Sequence, residues 1–225
     1  MRYKQRMSRR FDTFIFDWDG TLTTGILLRK LNERMNPFWI SRKRSSADST
    51  DTYAVNVPKD ISAVSGRAIR RHIRKKEMEN RLLASLVEMS VRFLKPRLQD
   101  GAREALERLD RNGNTIALFT NGAQYRVLKE LSYLGVEDYF TAIASAQDVN
   151  ALKPNPRGLN LIARAVNADK ERTVYVGDMV DDMEAAKYAG MHSCAIANGF
   201  DSYARLKGTR PDYIFRNIVE FCKAL

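Results

Sequence analysis

The chain has 225 residues, 44% hydrophobic and 29% charged, enough to bury a core and too balanced for wholesale disorder. No stretch approaches the roughly 20 apolar residues of a membrane span, and the basic first ten residues lead into no apolar run of a secretory signal. Of the net charge of +11, all the excess lies in residues 1–100, which hold 22 Lys+Arg against 11 Asp+Glu, while residues 101–225 hold 16 of each.

Phe14-Ile15-Phe16 is a fully apolar run, read as a buried strand. More than seventy residues then separate it from the next helix, far beyond the roughly 2–6 residues of an ordinary strand-to-helix loop. Residues 24–96 are therefore expected to form an inserted unit. Its middle, Ser41–Thr52, is polar, and Gly66–Lys95 is helical, with Leu83, Leu86, Val87, Ser90 and Leu94 on one face. The spacing of Ala102, Ala105, Leu106 and Leu109 predicts a helix stopped at Gly113, before the apolar strand Thr115–Phe119. Val127, Leu128, Leu131 and Leu134 predict a second helix, ending at Gly135. A strand at Ala142–Ala144, a helix at Leu159–Val166 and a strand at Val174–Val176 follow. A helix through Ala185, Ala186 and Ala189 to Gly190 precedes strands near Cys194–Ala197 and Tyr213–Phe215. Short apolar strands alternating with amphipathic helices mean an α/β fold, a Rossmann-like, doubly wound parallel sheet. Residues 1–23 and 97–225 make that core, and 24–96 a mainly helical cap over the crevice at the strands' carboxyl ends.

Acidic groups follow two of these strands. Asp17 and Asp19 leave the first strand in Asp17-Trp18-Asp19-Gly20-Thr21, and Asp178, Asp181 and Asp182 follow Val174–Val176. An Asp-x-Asp pair alone is common in surface turns, and Asp181 or Asp182 would serve as a helix cap. Neither reading accounts for Asp178. Carboxylates converging from two strand ends suit a hard divalent cation, Mg²⁺ above all, which takes oxygen ligands and keeps several waters. Thr120, Asn121 and Gly122, at a third strand end, offer a hydroxyl and loop amides for phosphoryl oxygens. Lys153, in the loop before Leu159, is placed to neutralise transferring charge.

In this order the residues resemble the haloacid dehalogenase superfamily of phosphohydrolases. Its Asp-x-Asp-Gly-Thr motif is matched by Asp17–Thr21, its Ser/Thr by Thr120, its Lys by Lys153, and its Gly-Asp-x-x-x-Asp by Gly177, Asp178 and Asp182. Ala185–Met191 and Pro211–Phe215 are similar to the phosphoglycolate-phosphatase-like branch, whose helical cap also follows the first motif. The resemblance covers residues 11–24 and 97–220.

It implies a phosphatase acting on a small phosphorylated substrate. Asp17 is then the nucleophile and Asp19 the general acid and base. Mg²⁺ is held by the side chains of Asp17 and Asp178 and the carbonyl of Asp19, and Asp182 acts from behind on the metal's waters or on Lys153. Asp at position 19 disfavours the superfamily's dehalogenases, which lack it, and its ATPase pumps, which carry Thr. A sugar-phosphate mutase shares every core motif and stays open. So does a nucleic-acid- or polyanion-binding protein built on the basic clusters Arg42–Arg44, Arg70-Arg71 and Arg74–Lys76, which rests on charge alone and is not favoured. Cys194 and Cys222 are too few for a disulfide framework, and the expected location is the cytoplasm.

Overall fold

The computed structural model describes residues 7–24 and 95–225. In chain order the elements are α1 (Met7–Arg10), β1 (Thr13–Phe16), α2 (Ala102–Arg111), β2 (Thr115–Thr120), α3 (Gln124–Leu134), β3 (Ala142–Ser145), α4 (Ala146–Val149), α5 (Arg157–Ala165), β4 (Thr173–Gly177), α6 (Val180–Ala189), β5 (His192–Ile196), α7 (Tyr203–Gly208), β6 (Tyr213–Phe215) and α8 (Ile218–Ala224). The six strands pair in parallel, in the order β3-β2-β1-β4-β5-β6.

Alternation within the strands decides which face each helix covers. Phe14, Phe16, Ile116, Leu118, Val174 and Val176 point to one side, against α2, α3 and α8. Ile15, Ala117, Phe119 and Tyr175 point to the other, against α5 and α6. Both faces are covered, which is why β1, β3 and β4 are buried at every position. The doubly wound parallel sheet expected from the sequence is the observed fold.

The strand order reverses between β1 and β4, so a crevice opens at their carboxyl ends. Register makes that crevice narrow. Phe16 lies beside Leu118 of β2 and Val176 of β4, which sets Asp17, Thr120 and Asp178 at three adjacent strand ends. The segments flanking the insertion also meet: Thr24 N donates to the Arg97 carbonyl at 3.0 Å and Gln99 N to Leu22 at 2.8 Å. The expected cap helix and the basic clusters lie outside the described residues.

The short helices α4 and α7 left no periodic signal in the sequence. Each begins on local chemistry: Asp148 accepts from Ser145 N at 2.7 Å, and the Ser202 hydroxyl caps α7 through Arg205 N. Among the described residues, no helix is long and apolar enough to cross a membrane.

Candidate active site

Asp17 is the first residue past β1. Its amide donates to the Val176 carbonyl at 2.9 Å, which continues the sheet pairing and aims the side chain into the crevice. Asp17 as a whole is 4% exposed. Lys153, also buried, lies with Nζ 2.6 Å from Asp17 Oδ1, 2.7 Å from Asp182 Oδ1 and 3.0 Å from the Tyr175 hydroxyl. One ammonium thus joins three side chains, from the end of β1, from β4 and from the start of α6.

Asp182 has both oxygens engaged. Oδ1 meets Lys153, while Oδ2 accepts from the backbone of Asp178 at 3.0 Å and of Met179 at 2.9 Å. Asp182 thus caps α6 from the third helical position, behind Met179 at the N-cap, with one oxygen and meets Lys153 with the other. Asp178 is fully buried; Oδ1 accepts from Thr21 Oγ1 at 2.6 Å and Oδ2 from Phe200 N at 2.7 Å. Tyr175 donates its hydroxyl to the Phe119 carbonyl at 3.0 Å. Asn121 turns its side-chain oxygen onto Lys153 N at 3.0 Å, so it holds the lysine's loop, and Gly122 N donates to Thr120 Oγ1 at 2.9 Å.

Asp19 points elsewhere. Arg126, on α3, grips it with Nη1 3.0 Å from Oδ1 and Nη2 2.5 Å from Oδ2. Behind Arg126 stands Glu130 at 2.9 Å, itself held by the Trp18 indole at 2.6 Å. The two aspartates of the pair thus have different partners, a lysine for Asp17 and an arginine for Asp19.

Charge balance around the first group is uneven. Asp17, Asp178 and Asp182 each present an oxygen within 4.8 Å of the others, and among the described residues Lys153 is the cation paired with Asp17 and Asp182. Burial pushes the Asp17 carboxyl up to about 7, with Lys153 pulling it down and Asp182 adding repulsion. Burial, then Asp17 and Asp182, raise Asp178 well above the usual carboxylate range. Lys153 loses hydration, yet Asp17 and Asp182 overcompensate and raise it well above the ordinary lysine value. Glu130 is raised by burial, against the pull of Arg126 and Trp18. An acid cluster short of positive charge, made only of hard oxygen donors, fits a divalent cation. Asp17 and Asp178 would hold it, while the charge of Asp182 is already met by Lys153 at 2.7 Å.

Every site residue expected from the sequence lies at this end of the sheet. Sequence reasoning passed over Tyr175, Phe200, Arg126 and Glu130. Arg126 and Glu130 carried one signal, an opposite-charge pair at i, i+4 on the helix that follows the Thr120 loop. Tyr175 looked like any strand aromatic, and Phe200 acts through its backbone.

Known proteins resemble this chain in sequence over part of its length and in fold over most of it. The pyrophosphatase PpaX of Halalkalibacterium halodurans is 29% identical over 119 residues, 53% of this chain and 55% of that protein. The phosphoglycolate phosphatase of Escherichia coli K12 is 30% identical over 133 residues, 59% of this chain and 51% of that protein. The aligned part thus spans about half the length of the curated relatives it matches. Two solved structures share the fold: CbbY from Rhodobacter sphaeroides in complex with phosphate (TM-score 0.63, 20% identity, 93% of this chain and 96% of that one) and a hydrolase from Pseudomonas syringae (TM-score 0.63, 20% identity, 94% and 96%). Residues 11–190 match the family described as haloacid dehalogenase-like hydrolase, and the chain belongs to that family.

Proposed function

We propose that this protein is a Mg²⁺-dependent phosphatase that hydrolyses a small phosphomonoester through an aspartyl-phosphate on Asp17. The observation that carries the reading is the buried Asp17–Lys153 pair, 2.6 Å apart, beside Asp178 at the end of the adjacent strand. Relatives named pyrophosphatase and phosphoglycolate phosphatase support it.

In the first step an Asp17 oxygen attacks phosphorus while the ester P–O bond breaks and Asp19 gives its proton to the leaving oxygen. In the second, Asp19 takes a proton from water as that water attacks phosphorus. The P–O bond to Asp17 then breaks and phosphate leaves. Thr120 and the amides near Gly122 would hold the phosphoryl oxygens, and Lys153 offsets their charge throughout. Asn121 contributes by fixing the lysine's loop.

Mg²⁺ would supply the second positive charge that lets an anionic carboxylate approach an anionic ester. The burial of Asp17 supports that reading: it pushes the carboxyl up to about 7 against the pull of Lys153, and a further positive charge would favour the ionised nucleophile. The residue 24–96 insertion, with 16 Lys+Arg against 7 Asp+Glu, suits an anionic substrate. A cytoplasmic site of action goes with the reading, since Cys194 and Cys222 are both buried free thiols.

The test is phosphate release from a panel of phosphorylated metabolites with Mg²⁺, run beside Asp17→Asn and beside chelator. Acid quench of turnover with labelled ester should trap phosphate on the protein in wild type only. Turnover that survives Asp17→Asn would overturn the reading.

A further inference from the structure

Beside the Lys153 cluster, the side chains of Asp19, Arg126, Glu130 and Trp18 form a second network, hydrogen-bonded from end to end. Trp18 is fully buried and Glu130 is 8% exposed, so the anchor is deep in the core. Glu130 takes the indole proton at 2.6 Å and faces Arg126 with both oxygens 2.9 Å from Nη1. Arg126 in turn forks onto Asp19. A planar guanidinium paired with a carboxylate through two bonds fixes direction as well as distance.

The fork lies against the Thr120 loop. A Cβ built on Gly122 would stand 2.4 Å from Arg126 Nη2, 3.0 Å from Asp19 Oδ2 and 3.2 Å from Thr120 Oγ1. The guanidinium, the Asp19 carboxylate and the hydroxyl expected to bind phosphate therefore crowd the same side of Gly122, too closely for a Cβ to fit. The Asp19 carboxylate therefore borders the Thr120 loop, which the phosphatase reading assigns to the phosphoryl group.

We propose that Arg126 is the positioning residue for Asp19, with Glu130 and Trp18 as its anchor, and that its contribution to turnover acts through that carboxylate. The inference rests on the phosphatase reading above. Misplacing a reacting group by about 1 Å costs on the order of 10²-fold in rate, so losing the fork should be visible in the step where Asp19 gives up its proton.

The test compares wild type, Asp19→Ala, Arg126→Ala, Arg126→Lys and the Asp19→Ala/Arg126→Ala double variant. The readout is single-turnover release of the leaving group from an alkyl phosphate and from p-nitrophenyl phosphate. Arg126→Ala should slow the alkyl ester by about 10²-fold and the aryl ester, whose leaving group needs little protonation, much less. In the double variant the alkyl rate should equal that of Asp19→Ala, because the positioned group is already gone. Arg126→Lys keeps the charge without the fork and should fall between; if Arg126→Ala does not fold, this variant carries the comparison. Losses that add in the double variant, or equal losses for both esters, would assign Arg126 to the phosphoryl group or to the fold and overturn the proposal. So would an Arg126→Ala enzyme as fast as wild type. Asp17→Asn separates the two failures: if it releases leaving group like wild type, the phosphatase reading itself falls.

Discussion

Thr21 donates a 2.6 Å hydrogen bond to Asp178 across 157 positions of sequence, from the turn after β1 to the end of β4. The threonine that closes the Asp-x-Asp-Gly-Thr turn is thus a fixture for the carboxylate of another strand. It is fully buried, and so is its partner. With Phe200 N on the other oxygen, Asp178 is held from both sides.

Thr21→Val should therefore weaken metal binding while leaving the nucleophile in place. Valine keeps the shape and removes the donor. Partners of metal ligands typically contribute about 10–100-fold to metal affinity or activity. The Mg²⁺ concentration for half-maximal phosphate release should rise by that order, with turnover at saturating Mg²⁺ much less affected. An unchanged Mg²⁺ titration would show that Phe200 N alone orients Asp178.

Asp17→Asn should abolish turnover and leave the fold at least as stable. The substitution removes a buried charge that faces Asp182 and Asp178, while the amide oxygen can still accept from Lys153 at the observed 2.6 Å. Thermal melting of the metal-free variant at pH 7 should match or exceed wild type, with no phosphate released. A large drop in melting temperature would mean that the Asp17–Lys153 pair holds the fold together.

The raised Asp17 value also fixes a sign. A carboxyl at about 7 in the folded chain and near 3.8 when unfolded binds more proton folded than unfolded between those limits. Its share of stability is fully present below about pH 4 and is lost as pH rises toward 7. A divalent cation binds the ionised form, so the rise in melting temperature on adding Mg²⁺ should grow from pH 5 to pH 7. Asp17→Asn should flatten that growth. Melting curves with and without Mg²⁺ at three pH values decide it.

The sheet was legible because each buried strand is short, apolar and closed by a glycine or a turn. The site was legible because its carboxylates stand directly after such strands, where an unpaired ion is costly. What stayed hidden were second partners. Nothing in the sequence places Tyr175 under Lys153 or Phe200 N on Asp178, since these contacts arise from register and loop path. Asn121 shows the same limit: the sequence reads its loop amide as a phosphate donor and gives no sign that its side chain also secures the Lys153 backbone. Arg126 and Glu130 were visible as a helical ion pair, but their meaning depends on Asp19 leaning toward α3 and away from Lys153.

Two glycines separate damage to the fold from damage to the site. Gly113 closes α2 with φ of +74° and open space around it. Alanine there meets no neighbour but must adopt a left-handed backbone, at about 1–2 kcal/mol. Gly113→Ala should melt a few degrees lower and keep normal turnover. Gly199, in the loop after β5, is the reverse. A Cβ at that position would lie 2.1 Å from Asp178 Oδ2 and 2.4 Å from Asp178 Cβ, too close for any real contact. Thr21 and Phe200 N hold Asp178 in place, so relief has to come from moving the loop or the carboxylate. Either motion breaks the bond from Phe200 N. Gly199→Ala should thus lose its response to Mg²⁺ and most of its turnover, with a circular-dichroism spectrum like that of wild type. Should Gly199→Ala retain wild-type Mg²⁺ dependence, the loop after β5 has room to retreat, and Asp178 does not depend on it for its orientation.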